Sequence, residues 1–199
     1  EQQMTDALFD SDDDANTPLT GEERKQLIPS YITTRAELNE AEHIGIAQAA
    51  RWLFARKRDI VSDAVLRELH KRMFSGVWRW AGQYRTSGRN IGVDAYRIGV
   101  ELRQLVDYVR YQVVHESFPV EEIAVRFSHR LVWIHAFTNG NGRHSRLAAD
   151  YLVTQLGRPR FSWGQSSLVD AGATRNAYVA ALRQADHNDI SALLAFARS

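Results

Sequence analysis

The chain reads as an all-α domain of roughly seven helices with one projecting β-hairpin, and three observations carry that expectation. Apolar residues recur at helical spacing through most segments, as in "VEEIAVRFSHRLVWI", where Ile123, Ala124, Phe127, Leu131 and Ile134 share one side. Capping-box signatures, Ser/Thr followed three residues later by Glu, open two of those segments. One glycine-rich stretch, Ser75 to Gly99, breaks the pattern; within it "RTSGRNIGVDAY" reads as two short extended pieces around a turn.

Residues 1–18 are acidic and aperiodic and read as a mobile tail. Residues 19–40 read as an N-terminal helical extension, and residues 41–199 as the main domain. "TGEE" (Thr20 to Glu23) caps a short helix that stops before Pro29, and "TRAE" (Thr34 to Glu37) caps a longer one through Phe54. Ser62 is expected to cap "DAVLRELHKRMF", whose Val65, Leu66, Leu69 and Met73 form an apolar face. "VELRQLVDYVRYQVV" is helical, and Pro119 opens the next helix. "LAADYLVTQL" is helical until Gly157 and Pro159 stop it, and one or two helices cover the remainder.

At 199 residues the chain has the length of one domain, and 44% hydrophobic residues suffice for a core. A formal net charge of +1 argues against a general polyanion binder, so no direct nucleic-acid contact is expected. The cations are nearly all arginine, which suits bidentate phosphate contacts, although genome composition also produces such a skew. With no cysteine there is no disulfide framework, thiolate metal site or cysteine nucleophile. No apolar run approaches the ~20 residues of a membrane span, and a cytoplasmic setting is expected.

The chemistry concentrates in "HAFTNGNGRHSR", His135 to Arg146. "NGNG" reads as a loop between two helices, since each glycine costs about 1 kcal/mol inside a helix. The head of the second helix, near Gly142 and Arg143, offers unpaired amides and the positive end of the dipole, which together make an anion site. Arg143 and Arg146 are three apart, so they share a helical face on which they can clamp phosphates. His135 ends the preceding helix, and an imidazole beside a phosphate cradle can take a proton from an attacking hydroxyl. Phosphoryl or nucleotidyl transfer is the reaction class suggested. A metal hydrolase built on His129, His135 and His144 is the rival, but acidic partners are absent and the glycine loop is left unexplained.

"HAFTNGNGRHSR" resembles the Fic motif, His-Pro-Phe-x-Asp/Glu-Gly-Asn-Gly-Arg-x-x-Arg, and strictly matches seven of its nine specified positions. With "FSHRLVWI" and "AGQYRTSGRNIGV", the resemblance runs from about Ala41 to Ala195 and implies a Fic-type helical bundle with a β-hairpin flap. "LIPSYITTRAELNEAE" and "RTSGRNIGV" are similar to the bacterial subgroup labelled mobile mystery protein B. The resemblance implies a protein adenylyltransferase, moving AMP from ATP to a Ser, Thr or Tyr hydroxyl of a target protein, with this chain itself among the candidate targets. His135 would be the base, and Phe137 would anchor the loop. Gly140, Asn141 and Gly142 would form the anion hole, Arg143 would contact phosphates and Arg146 would hold the γ-phosphate. Tyr178 would neighbour the adenine. Gly88, Arg89, Asn90, Ile91, Gly92 and Val93 would form the flap that holds an extended target segment.

Two residues depart from the motif. Asn139 stands where the family has a Mg²⁺-ligating acid, so it would be a weaker ligand for Mg²⁺ or Mn²⁺. Ala136 replaces the proline, a matter of ~0.4–1 kcal/mol. In the family an inhibitory glutamate pairs with the second motif arginine, here Arg146; Glu37, Glu40 and Glu42 are the candidates, with an antitoxin-like partner as the other source. Another nucleotide donor, or a catalytically weakened binding or toxin–antitoxin module, are the alternative functions.

Overall fold

The computed structural model describes residues 20–165 and 171–199, so the expected tail at residues 1–18 lies outside the described residues. Among the described residues there are eight α-helices. They are α1 (Gly21–Arg24), α2 (Arg35–Phe54), α3 (Asp63–Phe74), α4 (Ile98–Val114), α5 (Val120–Ile134), α6 (Asn141–Gln155), α7 (Ala171–Asp186) and α8 (Ser191–Arg198). A 3₁₀ turn at Ala95–Arg97 leads into α4.

Local chemistry sets most boundaries. Both expected capping boxes form: Thr20 with Glu23 opens α1, and Thr34 with Glu37 opens α2. Ser62 occupies the N-cap position of α3 but makes no side-chain capping bond, contrary to expectation. Glycine in the left-handed region at Gly157 (φ +85°) follows the end of α6.

The core forms where α5 crosses α6, with α3 and α8 closing around them. α6 is the most enclosed helix; Leu147, Ala148, Ala149, Tyr151, Leu152 and Val153 are all buried, and small Ala148 and Ala149 admit close approach. The Tyr151 hydroxyl ties α6 to the α2–α3 connection by accepting from the Arg58 amide at 2.8 Å and donating to the Arg56 carbonyl at 3.0 Å. The N-terminal extension runs antiparallel beside residues 77–79, where Ile28 donates to the Val77 carbonyl at 2.8 Å and Arg79 to the Gln26 carbonyl at 3.1 Å.

The β-hairpin flap is corrected. Among the described residues there is no strand, only isolated bridges, Leu27 with Trp78 and Tyr84 with Phe137. The two ends of the segment pair with a third piece of chain rather than with each other. The Arg85 amide donates to the Ala136 carbonyl at 3.0 Å and the Val93 amide to the Ile134 carbonyl at 3.3 Å. A two-stranded ladder would need those same groups.

Tyr151→Phe removes one atom that satisfies two backbone groups, and is expected to cost about 1–3 kcal/mol in urea unfolding. A loss below about 0.5 kcal/mol would show that water replaces the hydroxyl without penalty.

Candidate active site

The loop of interest begins where α5 ends. His135 is the C-cap of α5, in the left-handed region (φ 54°, ψ 56°), which is uncommon for a residue with a side chain. Buried Arg85 holds this turn. Its Nε donates to the His135 carbonyl at 2.6 Å and its Nη1 to the Ser87 carbonyl at 2.9 Å, while Nη2 reaches the Val93 and Ile134 carbonyls. A cation at the carbonyl end of a helix also complements the dipole. Gly92 (φ +89°) lies directly against this turn; a Cβ there would sit 2.5 Å from the His135 Cβ.

The rest of the loop is tied internally. Asn141 closes it with two bonds to Phe137, accepting from its amide at 3.0 Å and donating to its carbonyl at 2.8 Å. Phe137 is buried and stacks on the His70 ring with centroids 3.7 Å apart. Gly140 (φ +77°) is the N-cap of α6, and a Cβ there would sit 2.5 Å from the Phe74 ring. The first helical bond runs from the His144 amide to the Gly140 carbonyl at 3.0 Å, which leaves the amides of residues 141–143 at the helix head. Arg146 and Tyr178 lie over that head, 3.5 Å and 3.9 Å from the Cβ position of Gly142. The Arg146 guanidinium sits 4.8 Å above the Tyr178 ring, and among the described residues no carboxylate pairs with it. The Tyr178 hydroxyl is buried and has no hydrogen-bond partner among the described residues.

Arg143 is placed differently. Its Nη1 meets Glu42 Oε2 at 2.6 Å, and Glu42 Oε1 accepts from the Trp78 indole at 2.8 Å. Of the three glutamates singled out, Glu42 therefore reaches the loop, at the first motif arginine and not the second. Glu37 is spent on the α2 cap, accepting from the Thr33 and Thr34 amides at 2.8 and 2.9 Å; those bonds hold its carboxyl below the ordinary range. Glu40 is exposed. In the segment expected to form the flap, Arg89 pairs with Glu23 of α1, and the Ser87 hydroxyl donates to the same carboxylate at 3.3 Å. Gly88, Asn90 and Ile91 are exposed, whereas Val93 is buried.

Arg85, His70 and Trp78 were not singled out from the sequence. The signal for His70 is its phase, since it falls on the buried side of α3 with Leu66, Leu69 and Met73. No comparable pattern marks Arg85. The rival metal site fails on geometry, since His129 meets Asp186 at 2.8 Å, His144 meets the Leu66 carbonyl at 2.8 Å, and His135 bonds the Val132 backbone. Asn139 also fits a resident Mg²⁺ poorly. Its amide oxygen is neutral and already accepts from the Gly140 amide at 2.6 Å, and among the described residues no cluster of three His, Asp or Glu stands ready to hold a metal. Two surface depressions lie away from the loop, one of about 390 Å³ lined by Arg183, Gln184, His187 and Asp189 and one beside Arg67 and Lys71. Over the loop itself, the arginine side chains fold back onto Glu42 and Tyr178.

Three histidines are held neutral. Burial, then the charges of Arg85 and Arg89, push His135 down to about 4, and burial pushes His144 to about 4. His70 is lowered well below its usual range by burial, with neighbouring His144 adding to it. Each regains an ordinary pKa near 6.5 on unfolding, so between roughly pH 6.5 and 4 the unfolded chain binds more protons. Stability is therefore fully present above that window and lost as pH falls through it. The urea midpoint is expected to drop steadily from pH 7 to pH 5; a flat profile would mean that these rings are charged in the fold.

Comparison with known proteins bears on the family and the fold. Residues 60–153 match the family model described as the Fic/DOC family. The chain is 27% identical over 187 residues to the protein adenylyltransferase fic-1 of Caenorhabditis elegans, covering 89% of this chain and 35% of that protein. It thus spans about a third of that curated relative's length. A solved structure of Fic-1 from C. elegans aligns with a TM-score of 0.68 at 25% identity, over 89% of this chain and 52% of that one. The BepC protein from Bartonella tribocorum, with bound AMPPNP, aligns with a TM-score of 0.66 at 18% identity, over 90% of this chain and 97% of that one. The motif loop, the helical frame around it and these likenesses converge on one family: residues 60–153 of this chain match the Fic/DOC family.

Proposed function

We propose that this Fic domain is a protein adenylyltransferase, transferring AMP from ATP to a Ser, Thr or Tyr hydroxyl of a target protein. The observation that carries this reading is the head of α6, where the amides of residues 141–143 stand beneath Arg146, a cation with no carboxylate partner among the described residues. The adenylyltransferase relative and the AMPPNP-bound neighbour support ATP as the donor.

In the proposed reaction the target hydroxyl oxygen attacks the α-phosphorus of ATP. The bond from that phosphorus to the β-phosphate oxygen breaks, and pyrophosphate leaves with the electron pair. The hydroxyl proton passes to His135, whose imidazole is neutral at pH 7 because burial and Arg85 disfavour its charged form. The amides at the α6 head hold the α- and β-phosphate oxygens, where fixed dipoles need no reorganisation as charge develops. Arg146 takes the γ-phosphate, and the Tyr178 ring lies where the base stacks. The exposed Gly88, Asn90 and Ile91 face the incoming target segment. No step is routed through Mg²⁺, given the donor set at Asn139.

Incubation of the full chain with labelled ATP and a bacterial lysate tests this. Label appears in protein with wild type and falls at least a hundredfold with His135→Ala, consistent with the ~10²–10⁴ that a general base supplies. Equal labelling by the two proteins would sink the assignment.

The Glu42–Arg143 pair favours restraint of this site by its own chain, since a guanidinium held by a carboxylate is not free to meet phosphate. Glu42→Gln keeps an acceptor for Trp78 while removing the charge, and is expected to raise labelling about tenfold, the worth of one charge-assisted bond. Unchanged or reduced labelling would make Glu42 a support for Arg143 rather than a restraint.

A further inference from the structure

His70 lies outside the motif, on α3, and its ring is fully buried beneath the loop. The Gly82 amide donates to its Nδ1 at 3.0 Å. A backbone amide has only a proton to give, so Nδ1 carries the lone pair and the single proton of the neutral ring is on Nε2. Nε2 lies 2.9 Å from the Asn139 carbonyl, which can only accept. The two partners therefore fix the tautomer between them. Gly82 is left-handed (φ +76°) and packed against Lys71, where a Cβ would come within 2.6 Å, so only glycine brings this amide to the ring.

The carbonyl that His70 holds belongs to the peptide plane that also carries the Gly140 amide. Asn139 Oδ1 fixes the other edge of that plane by accepting from the Gly140 amide at 2.6 Å. The face of the same ring stacks on Phe137, nearly parallel at 10°, and Phe74, one turn further along α3, lies under Gly140. One helix face thus supports the loop at Phe137, Asn139 and Gly140, the residues that lead into the α6 head.

We propose that His70 is the positioning residue of the anion loop: its Nε2–H, donated to the Asn139 carbonyl, sets the peptide plane that aims the α6 amides at bound phosphate. The phosphate role rests on the nucleotidyltransferase reading above; the positioning of the loop does not. His70 touches no reacting atom and acts through the backbone it holds.

Two substitutions in the full chain separate the halves of this contact. His70→Gln keeps a donor near the Nε2 position, whereas His70→Asn keeps only an acceptor near Nδ1, for Gly82. Amide exchange across residues 139–143 is measured in both and in wild type, with ADP affinity beside it and ¹⁵N imidazole shifts reporting the wild-type tautomer. The expected result is an Nε2-protonated ring, exchange in His70→Asn faster by about tenfold with ADP binding weakened in parallel, and both restored towards wild type in His70→Gln. An Nδ1-protonated ring, or exchange that is alike in the two variants, overturns the proposal. If wild type does not bind ADP, the nucleotide reading fails, and exchange and tautomer still decide the role of His70.

Discussion

One buried guanidinium holds the site together. At the end of α5 the carbonyls of Ile134 and His135 are left without intrahelical donors, and the Val93 amide meets only the first. Arg85 supplies them, and the same side chain takes the carbonyls of Ser87 and Val93 from the segment that crosses above. A helix end, His135 and a surface loop are thereby fixed relative to one another by a single planar fork. That geometry suits arginine and not lysine, whose ammonium presents no fixed set of donors. Placing His135 in the left-handed region costs on the order of 1–3 kcal/mol, and the bonds from Arg85 offset it.

Beneath the loop the supports are of another kind. His70, His144, Phe137 and Phe74 form an aromatic floor in which the histidines are neutral because burial disfavours their charge. A charged ring there would put a proton where Gly82 already donates. The floor is rigid and uncharged, and the cations lie above it. Arg143 and Arg146 are three residues apart on α6 yet meet different company, one a carboxylate from α2 and the other a tyrosine ring from α7. The electrostatic character of the loop mouth is thus set by helices far from it in sequence.

The segment between Tyr84 and Asp94 is the instructive failure of pattern reading. Its glycines and short apolar residues resemble a hairpin, since turn chemistry and alternation are local properties. The competing partner, residues 134–136, lies some forty positions downstream and takes the backbone groups at both ends. The glutamates of α2 show the same limit. Glu37 reads locally as a capping residue and is one, whereas nothing local to Glu42 marks its contact with Arg143, across about a hundred residues of chain.

Helix spans, the capping boxes at Thr34 and Thr20 and the glycine-dependent turn into α6 are all legible in the linear chain. Each follows from the phase of apolar residues or from the backbone freedom of particular amino acids, and these act over a few positions. Folding alone settles which carbonyls Arg85 reaches, which tautomer His70 adopts, which arginine Glu42 holds, and that the flap pairs with the loop instead of with itself. Those outcomes depend on directional bonds and burial between groups brought together from distant parts of the chain, and periodicity carries no record of them.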